Sequence, residues 1–292
     1  MKKVLQLTAL ILMLCLCLAV SGSDRKYTGV VIENSDEVTE VIRNTMMHRS
    51  YSATIRFRAH TIDEDRLADL AEDMVYDAFY ESDEPCGGDY LRFQYEGCGF
   101  SYTVDRNIFK NSYEMKIIPH YYTTLAQEEK TDEAVAEFLE SYSSYGDLSE
   151  YDRIKAVHDH ICENVRYDIV HKTNPGSRHI QSTAYGALYL KTALCQGYAV
   201  AAYRLFKELG IEARVITGKA TVDGVAERHA WNIVRIGDTF YDLDITLDDV
   251  NSSDEWFLKG EKTFSVDHMR DAEYDSQEFN ESYPVSEEDF QL

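Results

Sequence analysis

Basic side chains are scarce in this sequence: 29 Lys and Arg stand against 52 Asp and Glu over 292 residues, a formal charge of -23. A surface this acidic repels phosphate backbones and anionic headgroups, which excludes nucleic acid as a partner and argues against adsorption on anionic membranes. Long apolar runs are scarcer still. The one candidate is N-terminal, where Lys2 and Lys3 precede an apolar stretch from about Ala9 to Val20, and Ala19-Val20-Ser21 offers small residues for cleavage before Gly22. That run is well short of the roughly 20 residues a bilayer span requires, so residues 1–21 read as a secretory signal peptide. Cys15 and Cys17 each follow Leu, not the small residue of lipoprotein processing. The remainder, roughly 270 residues, is expected to lack a membrane span and to lie outside the cytoplasm, secreted or at the cell surface. Internal repeats and low-complexity tracts are absent as well. What the chain has in quantity is aromatic surface, 21 Tyr and 12 Phe, enough to bury a core beneath the acidic exterior.

Only four cysteines follow the signal: Cys86, Cys98, Cys162 and Cys195. In an oxidising compartment Cys86 and Cys98 are candidates for a short disulfide loop across a hairpin, a pairing the sequence leaves open. Cys162 falls mid-helix and reads as core. Cys195, unpaired outside the cell, is what a catalytic thiol would look like.

From about Ser50 to Tyr122 strand and helix signals alternate. Tyr51 to Arg58 has period-two character, Asp63 to Tyr80 places Leu67, Leu70, Met74 and Val75 on one helical face, and Tyr90 to Val104 and Ser112 to Tyr122 are strand-like. These predict a small α+β module over residues 28–125. A helix capped by Thr131, with Ala134, Val135, Phe138 and Leu139 as its stripe, then opens a second domain over residues 126–292. Ser149-Glu-Tyr-Asp152 resembles a capping box for a helix burying Ile154, Val157, Ile161 and Val165.

The chemistry centres on Cys195. The pattern from Cys195 to Gly210 is helical, so the thiol opens a helix, where free N–H groups and the positive end of the dipole favour a thiolate. Ala199, Ala202 and Phe206 share a side, which predicts packing on a sheet. Strands follow at Glu212–Ala220, Arg228–Ile236 and Thr239–Thr246, the last two joined by Gly237-Asp238. With a two-residue turn, Trp231 faces Asp244 and His229 faces Thr246, which puts Asp244 diagonal to His229 and within side-chain reach. A helix-opening cysteine, a histidine to share its proton and a carboxylate to orient the ring are what nucleophilic acyl chemistry requires.

Cys195-Gln-Gly-Tyr-Ala, His229-Ala-Trp-Asn232 and Tyr241-Asp-Leu-Asp244-Ile-Thr resemble the three core motifs of transglutaminase-like domains, and the likeness runs from roughly Thr131 to Arg270, including Trp256-Phe-Leu and Asp267-His268. The resemblance implies a papain-like core, with Cys195 as nucleophile, His229 as base and Asp244 as its orienter. It also implies an oxyanion site whose donors are the Cys195 N–H and either Tyr185, often tyrosine in bacterial relatives, or Gln181. Ile245 stands where relatives often have proline, a change at the end of the strand.

Bland readings accompany these. Trp231 and Asn232 are expected to support the site by packing and hydrogen bonding, and Asp242 to be a surface acid. His158, Asp159 and His160 are expected to be solvated on the polar side of their helix and not to ligate metal, and the C-terminal acids lack a spaced calcium loop. Neither metal nor cofactor is expected. The reading is a secreted cysteine protease or amidase acting on protein or peptide, including cell-wall peptide, through a thioester. Its alternatives are an amine-accepting transglutaminase and a non-enzymatic adhesion protein.

Overall fold

The computed structural model describes residues 25–27, 30–32, 35–79, 84–142, 148–172 and 178–292; the expected signal peptide lies outside the described residues. Its first part pairs β1 (Arg25–Tyr27) with β2 (Val30–Ile32), then runs α1 (Ser35–Met47), β3 (Ala53–Ala59), α2 (Glu64–Ala78), α3 (Gly88–Arg92), β4 (Tyr95–Asp105) and β5 (Asn111–Tyr121). Alternating side chains on β3 bury Ala53, Ile55, Phe57 and Ala59, and the antiparallel sheet β3-β5-β4 stacks this face on α1 and α2. The stripe Leu67, Leu70, Met74 and Val75 of α2 is fully buried there, and Asp63 caps that helix by accepting from the Arg66 N–H.

One expectation fails in this part, and one question the sequence left open is answered. Tyr90 does not begin a strand, because Gly88, with φ of 53°, opens the short helix α3; β4 starts only at Tyr95, with a bulge between Tyr95 and Gly97. Cys86 and Cys98 are not bridged. Both are free thiols, and they pack in different places, Cys86 against the larger core and Cys98 against the smaller one under β3 and β5.

The second part comprises α4 (Leu125–Tyr142), α5 (Glu150–Asn164), β6 (Arg166–Tyr167), α6 (Ile169–Lys172), α7 (Arg178–Gln181), α8 (Ala184–Leu188), β7 (Thr192–Ala193), α9 (Cys195–Glu208), β8 (Ala213–Val222), β9 (Val225–Ile236), β10 (Thr239–Leu243), α10 (Ile245–Asn251), α11 (Glu261–Phe264), β11 (His268–Arg270) and α12 (Gln277–Ser282). The whole is an α+β fold. Helix α4 begins six residues before Thr131 because Thr124 and Gln127 exchange hydrogen bonds across its first turn, while the Thr131 hydroxyl donates to the Gln127 carbonyl inside the helix. Ser149 and Asp152 form a reciprocal capping box on α5, whose Ile154, Val157 and Ile161 are buried, as is Val165 just beyond its end.

An antiparallel sheet, β10-β9-β8-β11, backs the Cys195 helix. Val215, Ala230 and Val234 face α9, where Ala199, Ala202 and Phe206 allow close approach. On the other face Ile216, Trp231, Ile233 and Phe240 form a separate core with Phe264 and Tyr274. The helix α3 also enters the larger core: Tyr90 is buried in it, and Asp89 accepts from Arg214 Nε and Nη2 and from the Val215 N–H. Among the described residues no helix is long and apolar enough to cross a membrane.

Candidate active site

Two chain features bring the site together. The turn Gly237-Asp238 has two residues, and β9 and β10 pair in the expected register, Thr239 with Ile236 through Leu243 with Asn232. The strand then stops at Leu243 and does not continue to Thr246. Asp244 leaves the sheet as N-cap of α10, its Oδ1 accepting the Leu247 N–H at 3.1 Å. Beyond Asn232 the outer edge of β9 is therefore uncovered, and it is here that the N-terminus of α9 arrives.

Cys195 is the first residue of α9 and only partly exposed. Its sulphur hydrogen-bonds to the His229 ring and to the backbone of Ala230 on that open edge. His229 Nε2 lies 2.6 Å from Asp244 Oδ2, which leaves Nδ1 as the nitrogen facing the thiol. Burial would raise the pKa of the Cys195 thiol, but the bond and charge of His229, aided by the Ala230 backbone, bring it below its ordinary value. Burial likewise opposes protonation of His229; the Asp244 charge and hydrogen bond, with Cys195 on the other side, raise it well above an ordinary histidine. Burial works against the Asp244 charge too, yet His229 and His268 hold that carboxyl well below the usual carboxylate range. All three directions favour thiolate, imidazolium and carboxylate at neutral pH.

Supporting residues fall where their chemistry is usable. Asn232 is buried and donates from Nδ2 to the Ala199 carbonyl (3.0 Å) and the Arg214 carbonyl (3.2 Å), tying the Cys195 helix to β8. Trp231 is buried with its ring 6.3 Å from His229 at an interplanar angle of 22°. Asp242 is not a surface acid: it is fully buried, accepting from Trp231 Nε1 at 2.9 Å and Arg270 Nη2 at 2.8 Å. The alternation of β10 sends it to the same face as Asp244, where Trp231 needs an acceptor. Its burial outweighs the Arg270 charge and pushes its pKa up to about 6.

The two oxyanion candidates differ in placement. The Gln181 carbonyl accepts the Leu194 N–H at 2.8 Å and lies against Gly197, where a Cβ would collide with it. Gln181 Oε1 is buried without a partner. Tyr185 of α8 instead stacks on Tyr189, the residue that ends that helix, centroids 5.2 Å apart.

Three features escaped the sequence. Gln196 Nε2 donates to the Phe93 and Ser182 carbonyls, anchoring the first turn of α9 from two sides. His158 is not solvated: it is buried, with Nε2 3.1 Å from Asp248 Oδ2 on α10 and 3.8 Å from Cys162 Sγ. Despite burial, its bonds to Asp248, Cys162 and Asp159 push its pKa up to about 10. The α5 stripe gave no hint of this, because α10 supplies the partner from 90 residues away. His268 approaches Asp244 Oδ2 with Nε2 at 3.1 Å. Its segment stands out in the sequence, but only the sheet β8–β11 brings it here. Among the described residues, His229, Asp244 and His268 form the one group whose ligand atoms all lie within 4.8 Å of one another. Direct histidine–carboxylate hydrogen bonds account for that closeness.

Comparison with known proteins adds a family. Residues 137–245 match the profile of the transglutaminase-like superfamily. Among solved structures, a TGase overlays at a TM-score of 0.38 and 19% identity, over 80% of this chain and 57% of that one. A candidate cysteine protease from Cytophaga hutchinsonii overlays at 0.33 and 15%, over 52% and 65%. The chain thus spans less than two thirds of either, and overlays at this level bear on neither reaction nor substrate. Among curated proteins, none matches the chain by sequence.

Proposed function

We propose that the chain, whose residues 137–245 match the profile of the transglutaminase-like superfamily, is a cysteine-dependent acyl-transfer enzyme cleaving amide bonds in proteins or peptides. The observation that carries this reading is the continuous hydrogen-bonded series Cys195–His229–Asp244, with the thiol at a helix N-terminus and the carboxylate buried. Cys195 Sγ attacks the amide carbonyl carbon, and His229 passes the thiol proton to the departing amine as the C–N bond breaks. A thioester remains. Water then attacks it with His229 accepting a proton, and C–S cleavage releases the acid and restores the thiol. Asp244 stays ionised throughout and fixes the ring so that Nδ1 faces sulphur.

The developing oxyanion is served by the Cys195 backbone N–H, which has no helical acceptor. Gln181 is the better-placed second donor, because its backbone abuts the first turn of α9, whereas Tyr185 is stacked on Tyr189. A signal peptide at residues 1–21, as expected from the sequence, would give an extracytoplasmic setting, in which cell-wall peptides are one substrate class.

The test offers a peptide carrying a side-chain or backbone amide, with and without a labelled primary amine. Release of acid, lost in Cys195→Ala, is expected. Amine incorporation outpacing acid release would make the enzyme a transglutaminase, and no Cys195-dependent product from any amide tried would contradict the reading.

A further inference from the structure

The Asp244 carboxylate has a second histidine on the oxygen that His229 uses. His268 Nε2 lies 3.1 Å from Asp244 Oδ2, and His268 Nδ1 lies 2.6 Å from Asp267 Oδ1. The imidazole is buried and held on every side: its ring stacks on Phe264, centroids 3.9 Å apart at 22°, and meets Trp231 edge-on at 5.1 Å. Asp267 is itself fixed, since Trp256 Nε1 donates to its Oδ2 at 3.2 Å. The Trp256 carbonyl in turn accepts the Asp244 N–H at 3.2 Å. Asp244, His268, Asp267 and Trp256 therefore close a ring of hydrogen bonds behind the site.

We infer that His268 is a positioning residue: by donating to Asp244 Oδ2 it keeps that carboxylate ionised and oriented on His229, and so sets how far into acid the Cys195 thiolate survives. The inference rests on the acyl-transfer reading of Cys195, His229 and Asp244. A buried carboxylate pays for its charge in lost solvation and keeps it only while donors face it. Asp244 has three, the rings of His229 and His268 and the Leu247 N–H. Only His229 faces the reacting thiol; the two nitrogens of His268 face carboxylates, Asp244 Oδ2 and Asp267 Oδ1. The other charged groups around the pair are Cys195 on α9, Asp248 on α10, Asp242 and Arg270 bonded to each other, Glu261 on Arg270, and Asp267. None of these offers Asp244 a replacement donor. Without His268, Asp244 takes up a proton at higher pH; the imidazolium then loses its counter-charge and the thiolate is protonated.

The test is alkylation of the full chain by iodoacetamide between about pH 4 and 9, following the Cys195 peptide by mass spectrometry, with a thermal melt of each variant. In His268→Leu the acid limb of labelling is expected to move up by about one pH unit, while His268→Gln, whose side-chain N–H reaches towards the same oxygen, stays near the parent. Asp267→Ala, at the outer end of the ring, moves the limb the same way by less, and carries the test if His268→Leu does not fold. A parent-like limb in a folded His268→Leu protein, or in Asp267→Ala where the former is unfolded, would overturn the inference while leaving the acyl-transfer reading intact. A parent whose Cys195 labels only as an ordinary thiol would sink that reading, and this one with it.

Discussion

Asp244 does two jobs with its two oxygens, and they separate cleanly by substitution. Oδ1 caps α10 and Oδ2 receives His229 and His268. Asparagine is as good an N-cap as aspartate, so Asp244→Asn is expected to keep the α10 cap, and what melting temperature it loses reports the broken pairing with His229 and His268. Turnover of a peptide amide should nevertheless fall by roughly three to four orders of magnitude, because an amide can present a donor where His229 needs an acceptor. Asp242, two residues earlier, makes the contrasting case. Its folded pKa of about 6 lies above the ordinary unfolded value of about 3.9, so the native state binds this proton more readily than the unfolded state. Its contribution is thus most favourable in acid and is lost as pH rises through that window. Urea unfolding should show Asp242→Asn gaining on the parent by on the order of 3 kcal/mol between about pH 4 and 7, and a constant difference would contradict the assignment. Sequence placed Asp244 beside His229 but gave the depth of neither aspartate, because the covering Trp231, Arg270 and Trp256 come from other segments.

Among the elements, the Cys195 helix was the most legible. Its start, its alanine face and the glycine after its end follow from residue types alone, and Gly210 does take a positive φ. The two-residue turn fixed the β9–β10 register. The pattern extends β10 to Thr246 whereas the strand ends at Leu243, since Ile245-Thr246 is strand-like by propensity while the Asp244 cap commits the same residues to α10. Gly197 shows why the segment after Cys195 has its glycine: a methyl group there would strike the Gln181 carbonyl and come within 2.9 Å of Ala193 Cβ. Gly197→Ala is therefore expected to cost about 1–3 kcal/mol in denaturant unfolding. It should slow labelling of Cys195 at every pH without moving the acid limb, since it displaces the helix and leaves the charges alone.

For the molecule as a whole, the predicted division near residue 125 sets a small α+β unit before the unit carrying the site, and α3 crosses it. Asp89 pairs with Arg214 and the Val215 N–H, and the Tyr90 hydroxyl donates to Glu128 Oε2 at 2.7 Å. A fragment of residues 126–292 would leave these partners unpaired, a loss of about 3–5 kcal/mol for a buried ion pair alone. Circular dichroism melts should therefore find that fragment far less stable than one spanning 84–292, and equal melting would contradict this account of α3. Local patterning cannot reveal such a crossing, because Asp89 and Arg214 lie 125 residues apart.

The most direct measurement of the central claim is the rate of Cys195 alkylation against pH in the parent and in His229→Ala. The account predicts rapid labelling well below the ordinary thiol pKa of about 8.5 in the parent, and in the variant a rate that rises only near that value. Superimposable profiles would mean that His229 does not activate Cys195, and the acyl-transfer assignment would fall.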